Sequence, residues 1–137
     1  MTQSAPVSPL YSRSMRAGDL LFVSGQLPLG EGVMLHPGRV GAEVTVEQAR
    51  EAAALAARRC LDVVRDELGS LEEVRVVRVG GYVAAGPGFF DAPAVIDAAS
   101  QFVLGELGEN GHHARLAVGV ASLPLNACVE VEMAVQC

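Results

Sequence analysis

His112-His-Ala-Arg-Leu-Ala-Val-Gly-Val-Ala-Ser-Leu-Pro-Leu-Asn-Ala-Cys-Val-Glu-Val-Glu132 reads as two strands joined by a turn at Pro124 and Asn126. Side chains alternate between the faces of a strand with a period of two. Arg115 therefore shares a face with Ala117, Gly119 and Ala121, while Leu116, Val118 and Val120 take the other, which their apolar character directs to a core. In the second strand Val129, Val131, Met133 and Val135 form the apolar face, and Cys128, Glu130, Glu132 and Ala134 the opposite one. If the two strands pair as a hairpin with apolar faces together, Arg115, Glu130 and Glu132 share the remaining face. One reading is a cross-strand ion pair of small energetic weight. The other is an anion pocket, because a guanidinium above a floor of small residues leaves room for a carboxylate and offers it a rigid fork of donors.

Upstream, the pattern supplies the rest of a layered fold. Ser12 to Arg16 suits a short edge strand and Leu20-Leu-Phe-Val23 a buried one, ending at Ser24-Gly25-Gln26. Gly30 to Gly41 reads as a loop. Thr45 with Gln48 has capping-box spacing, and the helix it opens runs to about Leu68 and stops at Gly69. Its apolar face is rich in alanine, which allows close packing on a sheet, and its arginines and acids, Arg50 to Arg65, read as a solvated face. Val74 to Ala84 is a valine-rich strand in which Gly80 and Gly81 suggest a bulge or a close backbone approach. Asp91 caps a second helix with Pro93 in its first turn and a stripe of Val95, Ala99, Phe102 and Val103. The order β-β-α-β-α-β-β predicts an α+β two-layer sandwich, a mixed sheet with both helices on one face. The other face is expected to be covered by further copies in a symmetric oligomer.

The composition suits one domain over residues 1–137, with an irregular N-terminal arm over 1–10. Half of the 137 residues are hydrophobic, Trp is absent and aromatics make up 4%, so alanine, valine and leucine must build the core. A net charge of −6 repels phosphate backbones and argues against a nucleic-acid binder. The N-terminal residues lack the apolar run of a signal peptide, and a cytoplasmic location is expected. Cys60, Cys128 and Cys137 form neither a disulfide framework nor a zinc pattern. His112 and His113 invite a metal, but adjacent strand residues diverge and nearby ligands are lacking, so no metal and no cofactor are expected.

Tyr11, Leu21-Phe-Val-Ser-Gly-Gln-Leu-Pro28, the helix from Thr45, and Ala114-Arg115 followed by Leu123-Pro124 and Val129-Glu-Val-Glu132 together resemble the Rid/YjgF family. These are the reactive-intermediate deaminases, also known as L-PSP endoribonucleases. The resemblance runs from about Tyr11 to Val135. It implies a chorismate-mutase-like fold and a homotrimer with three clefts between subunits, in which 2-imino or enamine acids are hydrolysed to 2-keto acids and ammonia. By that match Arg115 binds the substrate carboxylate, Glu130 positions the attacking water, Tyr11 lines the cleft and Gly25 offers a backbone contact. The chain departs from the family pattern at Leu116 and Ala117, where Ala117 keeps only its backbone groups for a ligand, and at Asp97, which stands where the family has a cleft asparagine. A non-catalytic, carboxylate-binding or chaperone-like trimer is the alternative that those departures favour. An endoribonuclease is the reading that the charge opposes.

Overall fold

The computed structural model describes Ser8 and residues 10–137; apart from Ser8 and Leu10, the expected N-terminal arm lies outside the described residues. Strands β1 (Ser14–Ala17), β2 (Leu20–Gln26), β5 (Arg75–Ala84), β6 (Ala114–Val120) and β7 (Val129–Gln136) form one mixed sheet in the order β1-β2-β7-β5-β6. Helices α1 (Val46–Leu68) and α2 (Ala92–Leu107) pack together on one side of it. The segment read as a plain loop also holds a two-strand ribbon, β3 (Leu29–Gly30) and β4 (Val33–Met34). The α+β two-layer arrangement expected from the sequence is thus present.

The helix boundaries follow their local chemistry. Thr45 Oγ1 accepts the Gln48 N–H at 3.1 Å, and the Gln48 side chain accepts the Thr45 N–H at 3.0 Å, a complete capping box. At the other end Gly69 turns left-handed (φ 87°) and returns its N–H to the Arg65 carbonyl. Asp91 accepts the Ala94 N–H at 3.3 Å and opens α2. The buried face of α1 is built largely of alanines, Ala49, Ala52, Ala53, Ala56 and Ala57, with Cys60, Leu61, Val63 and Val64. It meets a sheet face of Val79, Val83, Val129, Val131, Met133 and Val135. The expected solvated face of α1 holds only in part. Arg50 turns inward to the Ala94 carbonyl and Gln101 of α2, and Arg59 donates to the Leu27 carbonyl at 2.9 Å.

The closing hairpin does not form. β6 pairs parallel to β5, and β7 pairs antiparallel to both β5 and β2. The reason is the crossover: α2 returns the chain to the start of β5, so the strand after it runs parallel. β7 then fills the gap on the other side of β5. The reversal between β6 and β7 is made by Leu125 and Asn126, both at positive φ (57° and 60°).

This pairing also corrects which side of β6 faces inward. Val79 stands beside Arg115 and Gly81 beside Ala117, so Arg115, Ala117 and Gly119 face the helices. Leu116, Val118 and Val120, expected in the core, lie on the open face. There they join Met15, Phe22 and Tyr82, of which Met15 and Phe22 are exposed. Size rather than polarity decided the matter, because α2 lies close to the sheet here. A Cβ on Gly81 would stand 2.5 Å from Ile96 Cγ1, so the paired glycines answer to a close approach. The bulge in β5 falls earlier, between Val76 and Arg78.

Overpacking at this contact should be measurable. Gly81→Ala is expected to cost about 1–3 kcal/mol in urea denaturation. The pair Gly81→Ala with Ile96→Ala should cost clearly less than the sum of the two single changes, because the second creates the space that the first requires.

Candidate functional site

Arg115 is the second residue of the edge strand β6, with its side chain only 23% accessible. Its Nη1 donates to Asp97 Oδ1 at 2.8 Å and to Ser100 Oγ at 3.3 Å. Both partners lie one turn apart on α2, at the i, i+3 spacing that puts them on one helical face. Ser100 Oγ in turn lies 2.8 Å from His113 Nε2, and His113 Nδ1 lies 2.6 Å from the Gly111 carbonyl. Ala117, one alternation further along β6, is half-buried against the core on the same side. Asp97, Arg115 and Ala117 thus lie on the same side of the sheet, with Ser100 and His113 beside Arg115.

Glu130 belongs to a different place. It stands beside Tyr82 on β5, on the open face of the sheet, and Glu132 stands beside Gly80. A Cβ on Gly25 would collide with the Glu130 carboxylate, so glycine at the β2 bulge is what admits that side chain. Burial and the neighbouring Glu132 both push the Glu130 carboxyl above the usual carboxylate range. Glu132 does not meet Arg115 as the hairpin would require. It accepts from Tyr82 Oη at 2.8 Å and from Arg78 Nη1 at 3.1 Å. The tyrosine's hydrogen bond to that carboxylate raises the Tyr82 phenol in turn. Tyr11 is exposed and lines a cavity of about 310 Å³ with Gly25, Gln26, Arg13 and Arg59.

The six residues expected to make one site therefore form two clusters within a chain. Tyr11, Gly25 and Glu130 make one; Asp97, Arg115 and Ala117 make the other. β5 lies between β7 and β6, a separation of about 10 Å at ordinary strand spacing, and Glu130 and Arg115 project from opposite faces of the sheet. A shared face for Arg115, Glu130 and Glu132 is overturned by this topology.

Three further residues bear on the site. Ser100 and His113 attach to Arg115 through side chains; the His-His-Ala-Arg run marked one of them, but nothing local marked Ser100. Arg59, read as part of a solvated face, lines the Tyr11 cavity instead. A cavity of about 500 Å³ among Ala85–Phe90, Ala92 and Gly119–Ala121 has no ionisable side chain in its lining. Among the described residues no group of three or more His, Cys, Asp or Glu side chains could hold a metal ion. Cys60 is buried and donates to the Val131 carbonyl at 3.3 Å, and burial pushes its thiol far up; burial likewise pushes Cys128 up to about 11.

The model of the family described as Endoribonuclease L-PSP matches residues 2–137. The chain belongs to that family. Protein TCP17 of Trypanosoma cruzi is 39% identical over 128 residues, 92% of this chain and 80% of its own length. The structure of Atu1372 from Agrobacterium tumefaciens, a protein of unknown function, superimposes with a TM-score of 0.91 at 44% identity, covering 96% of this chain and 84% of that one. A suspected endoribonuclease from Shewanella oneidensis gives a TM-score of 0.92 at 26% identity over 100% of this chain and 91% of that one. The YjgF gene product of E. coli shares the fold, with a TM-score of 0.62 at 22% identity over 98% and 92% of the two chains. The L-PSP/YjgF fold, two helices on a mixed sheet, is the one described above. No helix among the described residues is long and apolar enough to cross a membrane.

The environment of Glu130 yields a stability prediction. Its folded carboxyl holds a proton more firmly than in the unfolded chain, so the native state binds more protons and stability falls as pH rises through the raised value. Glu130→Gln removes that loss. The variant is expected to unfold at a higher temperature than wild type at pH 7, with the difference shrinking as pH falls below the ordinary glutamate range, as read by thermal melts across pH.

Proposed function

We propose that this chain is one third of a homotrimer that hydrolyses 2-imino or enamine acids to 2-keto acids and ammonia in clefts between subunits. The observation that carries the reading is the division into two clusters. Arg115 offers a carboxylate anchor on one side of the sheet, Glu130 offers a base on the other, and one copy cannot bring both to a small molecule. A neighbour that covers the open face, where Met15 and Phe22 are exposed, supplies the missing half and buries that apolar surface. Arg115 then holds the substrate carboxylate in a two-pronged contact. Glu130, its carboxyl raised by burial and by Glu132, takes a proton from the attacking water. Tyr11 and the backbone of Gly25 and Ala117 line the cleft. Imine hydrolysis is intrinsically easy, so positioning supplies most of what is needed. The net charge of −6 and an aromatic content of 4% support this over RNA cleavage.

A second reading has its own observation. Asp97 already occupies Arg115 at 2.8 Å and competes with any incoming carboxylate. A trimer that binds small carboxylates without turning them over, or acts in a chaperone-like way, is consistent with that internal counter-ion.

Light scattering is expected to give about three times the 14.3 kDa of one chain. Arg115→Ala should keep that mass and lose roughly 30- to 1000-fold in hydrolysis of an enzymatically generated imino acid, the scale of a truncated charge contact. Arg115→Lys should recover little of it, because an ammonium lacks the planar fork. Equal activity in wild type and Arg115→Ala would overturn the mechanism. Asp97→Asn frees the guanidinium and should raise activity several-fold; an inactive wild type whose Asp97→Asn form stays inactive while binding pyruvate would favour the binding reading.

A further inference from the structure

The second attachment of Arg115 leads to a pair of residues that the deaminase reading does not use. A carbonyl oxygen only accepts, so the 2.6 Å contact between His113 Nδ1 and the Gly111 carbonyl places a hydrogen on Nδ1. In a neutral imidazole Nε2 is then bare, and the Ser100 hydroxyl donates to it across 2.8 Å. The same oxygen accepts from Arg115 Nη1 at 3.3 Å. Ser100 Oγ thus sits between a base and a cation, with the base held by a third group, the arrangement that activates a hydroxyl or passes a proton through it. The third group is firmly built. Gly111 is buried, and a Cβ there would stand 2.7 Å from the Val103 carbonyl, so the turn that presents its oxygen to His113 tolerates no side chain. His113 is half-buried and Ser100 half-buried, on the helix-facing side that also carries Arg115.

We propose that Ser100 and His113 form the acid–base couple of the Arg115 site, exchanging a proton with the nitrogen and oxygen of a substrate whose carboxylate Arg115 holds. This rests on the reading of Arg115 as the carboxylate anchor of an imine hydrolase. The couple enters the reaction with His113 Nε2 bare and accepting from Ser100, as its contacts place it, and the substrate enters as the protonated imine. As the water oxygen bonds to the imine carbon, the C=N π pair moves onto nitrogen, leaving a neutral amine, and the water's proton goes to Glu130. In the second half Glu130 returns its proton to the amine. The new hydroxyl gives its proton to Ser100 as Ser100 passes its own to His113 Nε2, the C–N pair leaves with ammonia, and the keto acid remains. The departing ammonia takes the proton from His113 through Ser100 and leaves as ammonium. Both halves balance, and each acid and base ends as it began. Ser100 is the catalytic residue of the couple, while His113 acts through it as a positioning and proton-accepting residue.

The test compares full-length wild type, Ser100→Ala, Ser100→Thr, His113→Ala, His113→Gln and Arg115→Ala. Turnover of 2-iminopropanoate, generated in situ by an amino-acid oxidase, is read beside pyruvate binding by calorimetry. Thermal melts establish which variants are folded. Ser100→Ala and His113→Gln are expected to lower kcat by about 10²-fold, the low end of general acid–base effects, with KM and pyruvate affinity within threefold of wild type. His113→Ala should lose one limb of the wild-type pH–kcat profile and regain activity with added imidazole. Ser100→Thr, which keeps the hydroxyl, should stay within about tenfold of wild type. Wild-type kcat and pH profile in folded Ser100→Ala and His113→Gln would overturn the couple while leaving the deaminase reading intact. So would a loss of pyruvate affinity matching the loss of kcat, since the pair would then only steady Arg115. Arg115→Ala with unchanged turnover and pyruvate binding would instead remove the deaminase reading, and the couple with it.

Discussion

Everything in this molecule that bears on chemistry depends on β7 being a central strand. It is bonded on both sides, to β2 and to β5, and its Val129, Val131, Met133 and Val135 face carries the middle of the core. Because β7 occupies that place, β6 is left at the edge, parallel to β5, with Arg115 turned toward α2. The acids of β7, on the alternate positions, are turned the other way. A period of two and one topological choice therefore separate the cation from the carboxylate.

The two clusters differ in electrostatic character. Around Arg115 a cation is shared between a carboxylate and a hydroxyl, so an anion arriving there exchanges one partner for another rather than meeting a bare charge. Around Glu130 two acids stand on alternate positions of one strand. Glu132 is bonded by Arg78 and Tyr82, while the Glu130 carboxyl is raised first by burial and then by the charge of Glu132. A carboxyl raised in this way binds a proton more readily than an ordinary glutamate, which suits a group that takes one from water.

The helices were legible because their signals are local: Thr45 with Gln48, Gly69, Asp91 and Pro93 each act within one turn of chain. The L-PSP family was legible from motifs spread along the chain, and that resemblance drew attention to Arg115 and Asp97, which bond to each other. The partner of β6 was not legible. Hairpin and crossover leave the same alternation in the sequence, and only the competition between β5, β2 and β6 for β7 decides between them. The inward side of β6 was misread for a related reason. Leucine and valine usually mark the core, but a helix that approaches within contact of Gly81 and Ala117 selects for smallness, and the larger side chains were left for the open face. Ser100 escaped notice because its significance lies in two contacts made across the fold, with residues 13 and 15 positions away.

The position of β7 also governs the order in which the fold can be made. The strand is last in chain order among the elements, yet it joins the two parts of the sheet. Among the described strands β1 pairs only with β2 at one edge and β6 only with β5 at the other, so β7 is the strand whose bonds join the two parts of the sheet. Those bonds link residues distant in sequence, such as Leu21 with Val135. Long-range pairing of this kind is slow to form and leaves strand edges open until it does.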